Sequence, residues 1–405
     1  MATITRRAAL RNLLGFTVPW FPSVPLRRFS PLPAFVGADD LSARFPVRAQ
    51  LTPSERDAMA RLARAFMETF AAPALSVAIA REGRIVYEQP FGVVSGEGDL
   101  PLKASSPFRI ASVSKPITSA AIFSLVEKSR LALSARVFGP GAVLGTEFGS
   151  APYKRYVTDI TVDHLLTHTC GGWTNDSTDP MFRFPRMNHA ELISWALDTQ
   201  PLLNPPGEHY AYSNFGYCVL GRVIEKVSGR SYAEYVRREV LSRCGISDMR
   251  IAGNTLKQRA PDEVVYFGQG GEDPYNMNVA RMDSHGGWLA TAADLALFAG
   301  RLAGYGTSPG ILKRDTVAIM VSPGPASSPG AEVKYARGWS VRDNGKGNWW
   351  HNGSLPGTTS IMVRTATGFS WAALSNTRSQ PADRINLALD NLVWQMARKV
   401  SAWHL

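Results

Sequence analysis

This chain has few of the features that would commit it to several common protein classes. Of its 405 residues only three are cysteines, Cys170, Cys218 and Cys244. They lack metal-ligand spacing and allow one disulfide at most, so a zinc module and a disulfide-framed fold are both excluded while the redox compartment stays open. No uncharged apolar run is long enough to cross a bilayer, which excludes an integral membrane span. No internal repeat is visible, which excludes a solenoid. Lys/Arg runs are absent too. The net charge is +11, but residues 1–50 carry seven Arg and two Asp and supply +5 of it, which leaves +6 scattered over the body. That is a basic surface without the clustered stripe that nucleic-acid binding requires. It suits an anionic envelope or an acidic substrate.

Acidic residues are missing from positions 1–38 altogether. This segment holds Arg6-Arg7, an apolar stretch from Leu13 to Leu26 broken by Pro19, Pro22 and Pro25, and a small-residue end at Val36-Gly37-Ala38. Thr5-Arg6-Arg7 followed by apolar residues resembles a twin-arginine export signal, which implies a periplasmic or secreted protein. An Arg-rich, acid-free start also fits an organelle transit peptide or a surface extension.

What is present is a globular composition, 45% hydrophobic and 19% charged, with enough chain for one large or two ordinary domains. Pro53 to Phe70 reads as a helix, with Met59, Leu62, Ala63, Phe66 and Phe70 at helical spacing. Residues 75–80 and 84–91 read as strands joined by a Glu82-Gly83 turn. Helices are expected from Ser112 to Glu127 and over residues 161–168, 190–197, 215–227, 232–241, 292–302 and 382–399, with Gly229 and Gly245 as C-terminal stops. Residues 337–341, 360–364 and 370–375 read as strands. The order predicts an α/β domain from residues 51–110 and 281–405, a mostly helical domain from 111–280, and an extension or targeting segment over 1–50.

The chemistry begins at Ser112 and Lys115, three positions apart and therefore on one helix face. A serine at a helix start has free backbone N–H groups nearby and feels the positive end of the dipole. Ser112 needs a base to become a nucleophile, and Lys115 can accept its proton if burial or a neighbouring cation lowers its pKa. A lone S-x-x-K is weak evidence, since a chain this long contains about one by chance. Two further segments supply the missing parts. In Tyr212-Ser213-Asn214, a phenolate stabilised by the Lys115 ammonium is a base or proton shuttle, and Asn214 can hold a substrate carbonyl and orient Lys115. In His351-Asn352-Gly353-Ser354, Gly353 lets backbone approach a substrate. The Ser354 N–H can pair with that of Ser112 as an oxyanion hole.

In this order the three motifs resemble the serine β-lactamase and penicillin-binding-protein superfamily. The branch is the one holding class C β-lactamases, DD-peptidases with a histidine in the third motif, and family VIII carboxylesterases. Residues 108–118, 160–169, 212–221 and 286–294 carry the same resemblance, which covers roughly residues 55–400. It implies a β-lactamase-like α/β plus all-α fold, an antiparallel sheet flanked by helices with an inserted helical domain. It also implies acylation of Ser112 and transfer of the acyl group to water or another acceptor. Lys-Thr-Gly, usual for the third motif in β-lactamases, is absent, and so is Ser-Asp-Asn. His351 is mostly neutral at pH 7 and grips a substrate carboxylate less well than lysine. That moves the expected substrate toward esters, with D-amino-acid peptides second and β-lactams third. Asn214, which many esterases of this kind lack, leans back toward peptidase chemistry.

Two rival motifs fail on their own terms. Gly306-Thr307-Ser308-Pro309-Gly310 fits G-x-S-x-G, but Pro309 has no N–H for the oxyanion hole that motif needs, so a loop is expected. His164 and His168 lie at i and i+4, yet Leu165 stands where His-Glu-x-x-His needs glutamate and no third ligand is evident, so a structural role is expected. Trp173 and Trp350 can line an aromatic substrate pocket or pack in the core. The expected partner is a small ester or peptide, with no cofactor and no metal; the rival of another class is an inactive scaffold or assembly homologue.

Overall fold

The computed structural model describes residues 51–95, 100–305, 308–326, 332–342, 347–379 and 381–403. The export-like pattern of residues 1–50 lies outside them, as do Gly306 and Thr307 of the G-x-S-x-G stretch. Ser308–Pro309 pairs with Gly304–Tyr305 in a two-residue ladder.

Both ends of the chain build one sheet. Its seven strands run Arg84–Gly92, Ala74–Arg81, Phe369–Ser375, Thr358–Arg364, Trp349–Leu355, Ser340–Arg342, Val333–Tyr335, every neighbouring pair antiparallel. Glu82 (φ 48°) and Gly83 (φ 76°) make the first hairpin turn, two left-handed residues as a tight turn of matching twist requires. Strand alternation then sorts the layers. Leu75, Val77 and Ile79 face a cluster shared with the helices Pro53–Phe70 and Ala382–Ala397, whereas Ala74, Ala78 and Ala80 face the larger core. Alanines on that side let the helix Ala292–Leu302 come close: a Cβ on Gly300 would stand 2.7 Å from Ser370 Oγ. The first helix opens on a capping box, in which Glu55 N donates to Thr52 Oγ1 (3.2 Å) and Thr52 N to Glu55 Oε2 (2.9 Å).

Helices fill most of the stretch between. Ser114–Glu127 is buried around nearly its whole circumference, which identifies a central helix. Asn214–Ser228 packs against it and stops at Gly229 (φ 73°). The predicted helix over 161–168 is shorter, Val162–Leu166, and His168 sits beyond it in left-handed backbone (φ 58°). His164 and His168 therefore do not share a helix face. The predicted 232–241 helix changes to π geometry at Arg237.

Several strands escaped the sequence pattern. Trp349–Leu355 contains the polar, glycine-bearing His-Asn-Gly-Ser, which lacks the β-branched signature; its pairing with Thr358–Arg364 makes it a strand. Val333–Tyr335 is only three residues long. Phe108–Arg109 joins Trp288–Ala290 and Arg250–Ile251 in a small sheet, and Ile110 N donates to Trp288 O (3.0 Å). This small sheet anchors the chain just before Ser112. All three cysteines are buried free thiols. Among the described residues no helix is long and apolar enough to cross a membrane, and no cluster of His, Cys, Asp or Glu is arranged to hold a metal.

Candidate active site

Ser112 is delivered by a strained turn. Ala111 adopts φ 47° ahead of the 3-10 turn Ala111–Val113, which runs into the helix Ser114–Glu127. Left-handed backbone at a residue with a Cβ costs about 1–2 kcal/mol and persists only where neighbours hold it. Here Ser360 Oγ donates to the Ile110 carbonyl (2.8 Å). Gly353 presses on the same carbonyl: a Cβ there would stand 2.3 Å from Ile110 O and 2.3 Å from Ser360 Oγ. Gly353 is thus a requirement of space at the closest approach of strand Trp349–Leu355 to the serine turn. Between Phe108 and Leu125, Ser112 is the single residue that is not fully buried.

Lys115 is completely buried, and its Nζ reaches three oxygens: Ser112 Oγ at 3.0 Å, Asn214 Oδ1 at 2.8 Å and His285 O at 3.1 Å. Burial pulls its pKa well below the usual lysine value, and the carboxylate of Asp179 opposes that shift. The Asn214 and His285 oxygens can only accept. A neutral amine donates its two N–H bonds to them and leaves its lone pair for the Ser112 hydroxyl. The ring of Tyr212 lies 4.7 Å from Nζ, and its hydroxyl hydrogen-bonds the Ser112 side chain. Burial raises the Tyr212 phenol, opposed in part by that hydrogen bond. The resting group is therefore the neutral phenol and not the lysine-stabilised phenolate expected from sequence. Burial disfavours the charged form of the phenol, and the nearby Tyr210 and Asp179 push the same way.

His351 sits beside this centre, buried and neutral. Its Nδ1 is 2.6 Å from Asn352 O, which can only accept, so Nδ1 carries the proton. Nε2 then accepts from the Tyr335 hydroxyl at 3.0 Å. Burial, and then the Lys115 charge, bring its pKa down to about 3. His168 is also fully buried and neutral, with Nδ1 accepting from Ser213 N (3.1 Å) and its ring centroid 4.2 Å from Tyr212 and 4.5 Å from Tyr335. These contacts pack His168 among the aromatic rings behind the site.

The structure brings Ser112, Lys115, Tyr212 and Asn214 together and sets His351 and Gly353 beside them. Ser354 follows Gly353 on the same strand, opposite Thr359 of its neighbour. Past Trp350, no strand among the described residues pairs with the other edge of Trp349–Leu355, which leaves backbone groups there unpartnered by the sheet. Two expectations are corrected. Trp350 packs toward the terminal helices, on the face opposite His351, because adjacent strand residues point to opposite sides. Trp173 is buried in the main core, its ring 4.9 Å from Phe215 and its Nε1 donating to Gln200 O (3.3 Å). Neither is placed to line a pocket at the serine. Sequence reasoning missed Asp179, Asn175, His285 and Tyr335. Only the Asp179-Pro180 pair carried a local signal, that of an N-cap, and it spoke of structure rather than chemistry.

The beta-lactamase family model matches residues 59–393, well over half the chain. The chain belongs to the beta-lactamase family. Within that family it is 26% identical over 321 residues to a penicillin-binding protein of Bacillus subtilis (strain 168), covering 71% of this chain and 64% of that protein. It is 32% identical over 186 residues to esterase EstB of Burkholderia gladioli, covering 42% of this chain and 45% of that one. In both, the match spans less than two thirds of the relative's own length. Among solved structures, the penicillin-binding-protein homologue of Pyrococcus abyssi superposes with a TM-score of 0.67 at 24% identity, covering 84% of this chain and 78% of the other. The sheet and helices described above are thus a β-lactamase fold, and the superfamily is one of serine hydrolases.

Proposed function

We propose that this beta-lactamase-family chain is a carboxylesterase-type serine hydrolase working through an acyl-enzyme on Ser112. The observation that carries the proposal is the Lys115 cage. Nζ is 3.0 Å from Ser112 Oγ, and its other two neighbours can only accept hydrogen bonds. The Ser112 proton passes to the Lys115 lone pair as Oγ attacks the ester carbonyl. The backbone N–H groups of Ser112 and Ser354 receive the oxyanion. Tyr212, a neutral phenol bonded to Ser112, passes a proton to the departing alkoxide and is reprotonated from Lys115. Water then attacks the acyl-enzyme by the reverse route, releasing the acid and restoring Ser112.

The choice of ester over β-lactam rests on His351. Its Nε2 lone pair is occupied by the Tyr335 hydroxyl and its ring is uncharged. It offers no positive charge to the carboxylate of a β-lactam or of a D-alanyl peptide. Small or medium acyl esters come first. A second reading, D-peptidase or D-aminopeptidase chemistry, is supported by the penicillin-binding-protein relative, although Asn214, with both amide hydrogens given to Asn175 and Asp179, has no donor for the substrate carbonyl expected of it from sequence; weak β-lactam turnover ranks third. The named esterase and penicillin-binding protein among the relatives support the first two readings alike. The inactive scaffold or assembly homologue is disfavoured by the complete cage.

The test compares a short-chain p-nitrophenyl ester, a D-Ala-D-Ala peptide and a chromogenic cephalosporin on wild type and Ser112→Ala. The expected order of rates is ester, peptide, cephalosporin, all lost in the variant, with an active-site serine probe adding mass at Ser112. Equal rates in both proteins would overturn the proposal.

A further inference from the structure

Asp179 caps a three-residue 3-10 turn, Pro180–Phe182, yet it is completely buried. An N-cap carboxylate ordinarily sits at the surface, where water solvates it. This one spends one oxygen on the cap, with Oδ1 accepting from Met181 N at 2.9 Å. The other faces inward, and Oδ2 accepts from Asn214 Nδ2 at 2.8 Å. The second hydrogen of that amide goes to Asn175 Oδ1, also at 2.8 Å. Both donors of Asn214 are therefore spoken for by groups that must accept. The amide cannot flip without setting N–H against N–H at Lys115 and oxygen against a carboxylate at Asp179.

We propose that Asp179 is a positioning residue for the catalytic base: it locks Asn214 with its oxygen toward Lys115 and supplies, through that one amide, the negative charge that keeps the buried amine within reach of protonation. The inference rests on Lys115 acting as base.

The charged and titratable surroundings support this division. Around Lys115 stand the rings of Tyr212 and Tyr217, with centroids 4.7 and 5.7 Å from Nζ. Burial first, and then any charge on Lys115, keeps the rings of His168, His285 and His351 neutral. Asp179 is the carboxylate that acts on Lys115. Asp179 in turn feels burial first, then Asn214, Met181, Lys115 and the neighbouring Asp176, and its pKa is raised to about 6. A carboxylate one amide away is a weaker partner than one in contact. It moderates the desolvation of Lys115 without tying the amine up as a fixed ion pair.

Asp179→Asn tests the role, because the new side chain keeps the size but has only one acceptor for two donors. We expect kcat/KM on a neutral p-nitrophenyl ester to fall about 100-fold with KM changed by less than about threefold, as for loss of a transition-state rather than a ground-state interaction. The acid limb of the kcat/KM profile should move to lower pH by about one unit, since Lys115 loses a negative neighbour. Asp179→Glu, which restores charge and acceptors, should move the limb back toward the wild-type position. A purely structural Asp179 would lower the thermal midpoint and activity together and leave the shape of the profile unchanged; that result, or a normalised profile superimposable on wild type, overturns the inference. Asn214→Ala is the second probe if Asp179→Asn does not fold. It removes the amide itself, and the same loss of kcat with displacement of the limb is expected. Ser112→Ala separates the two levels: hydrolysis surviving in that variant sinks the proposed function, whereas hydrolysis lost there with an unaltered Asp179→Asn profile sinks only this inference.

Discussion

Two buried basic side chains in this fold behave in opposite ways. Arg222 meets its carboxylate directly, with Nη2 2.6 Å from Asp283 Oδ2, and Asp283 is braced further by Ser284 N (2.6 Å) and by His189 Nε2 (3.4 Å). The pair stays ionised: after the opposing cost of burial, the Arg222 charge holds Asp283 well below the carboxylate range, and Asp283 holds Arg222 above the arginine range. Lys115 meets only neutral oxygens, with its carboxylate one amide removed, and burial wins. The difference lies in contact as well as in charge: Arg222 also meets Glu225 Oε2 at 2.6 Å, whereas the one carboxylate acting on Lys115 stands an amide away. A contact ion pair fixes a protonation state, whereas the same charges spaced by an amide leave one that chemistry can use.

The largest expected effect breaks the Lys115 half. Lys115→Met should lower kcat/KM on an ester by about three orders of magnitude or more, while its urea midpoint moves far less than that of an Arg222 variant. Arg222→Met should do the converse. Leaving Asp283 buried without its partner costs about 3–5 kcal/mol, visible in urea denaturation at pH 7, with residual activity tracking the folded fraction. If Lys115→Met proves the more destabilising of the two, the contrast between fixed and usable charge fails.

A smaller effect lies in acid. His351 has its pKa near 3 in the fold against the usual 6.5, so the unfolded chain binds the extra proton first. Its contribution is whole above pH 6.5 and is lost progressively as pH falls toward 3. His168 and His285 are shifted in the same direction. His351→Gln should therefore make the urea midpoint less sensitive to pH between 6.5 and 4; an unchanged slope would mean His351 is already charged in the fold. The smallest effect is expected of Trp350→Leu. Ester kinetics should stay within about twofold of wild type, because that ring faces the terminal helices.

Sequence showed the chemistry better than its control. Ser112, Lys115, Tyr212 and Asn214 were legible because a short spacing on one helix and compact motifs announce them. Asp179 and Tyr335 were not, because each acts through a contact between segments far apart in the chain: Asp179 reaches Asn214 and Tyr335 reaches His351. Trp350 was misread for a simpler reason. Once His351 is placed on a strand facing the serine, period-two alternation turns its neighbour away, but that strand carried too little β-branched content to be read as one. Long periodic helices such as Pro53–Phe70 and Ala382–Ala397 matched closely, while three-residue strands such as Val333–Tyr335 depend on partners that local pattern does not name.

The contact between Gly353 and the Ile110 carbonyl also sets an order of events during synthesis. Ser112 leaves the ribosome 353 − 112 = 241 residues before Gly353 does. At the usual elongation rates of roughly 5–20 residues per second, that is an interval of roughly 12 to 48 s. Throughout it the nascent chain carries its serine and lysine but lacks the strand that braces the turn and the backbone N–H of Ser354. The serine turn thus goes without its brace until strand Trp349–Leu355 is made, and a translation product truncated before Gly353 carries the S-x-x-K pair without the groups that hold the Ile110 carbonyl.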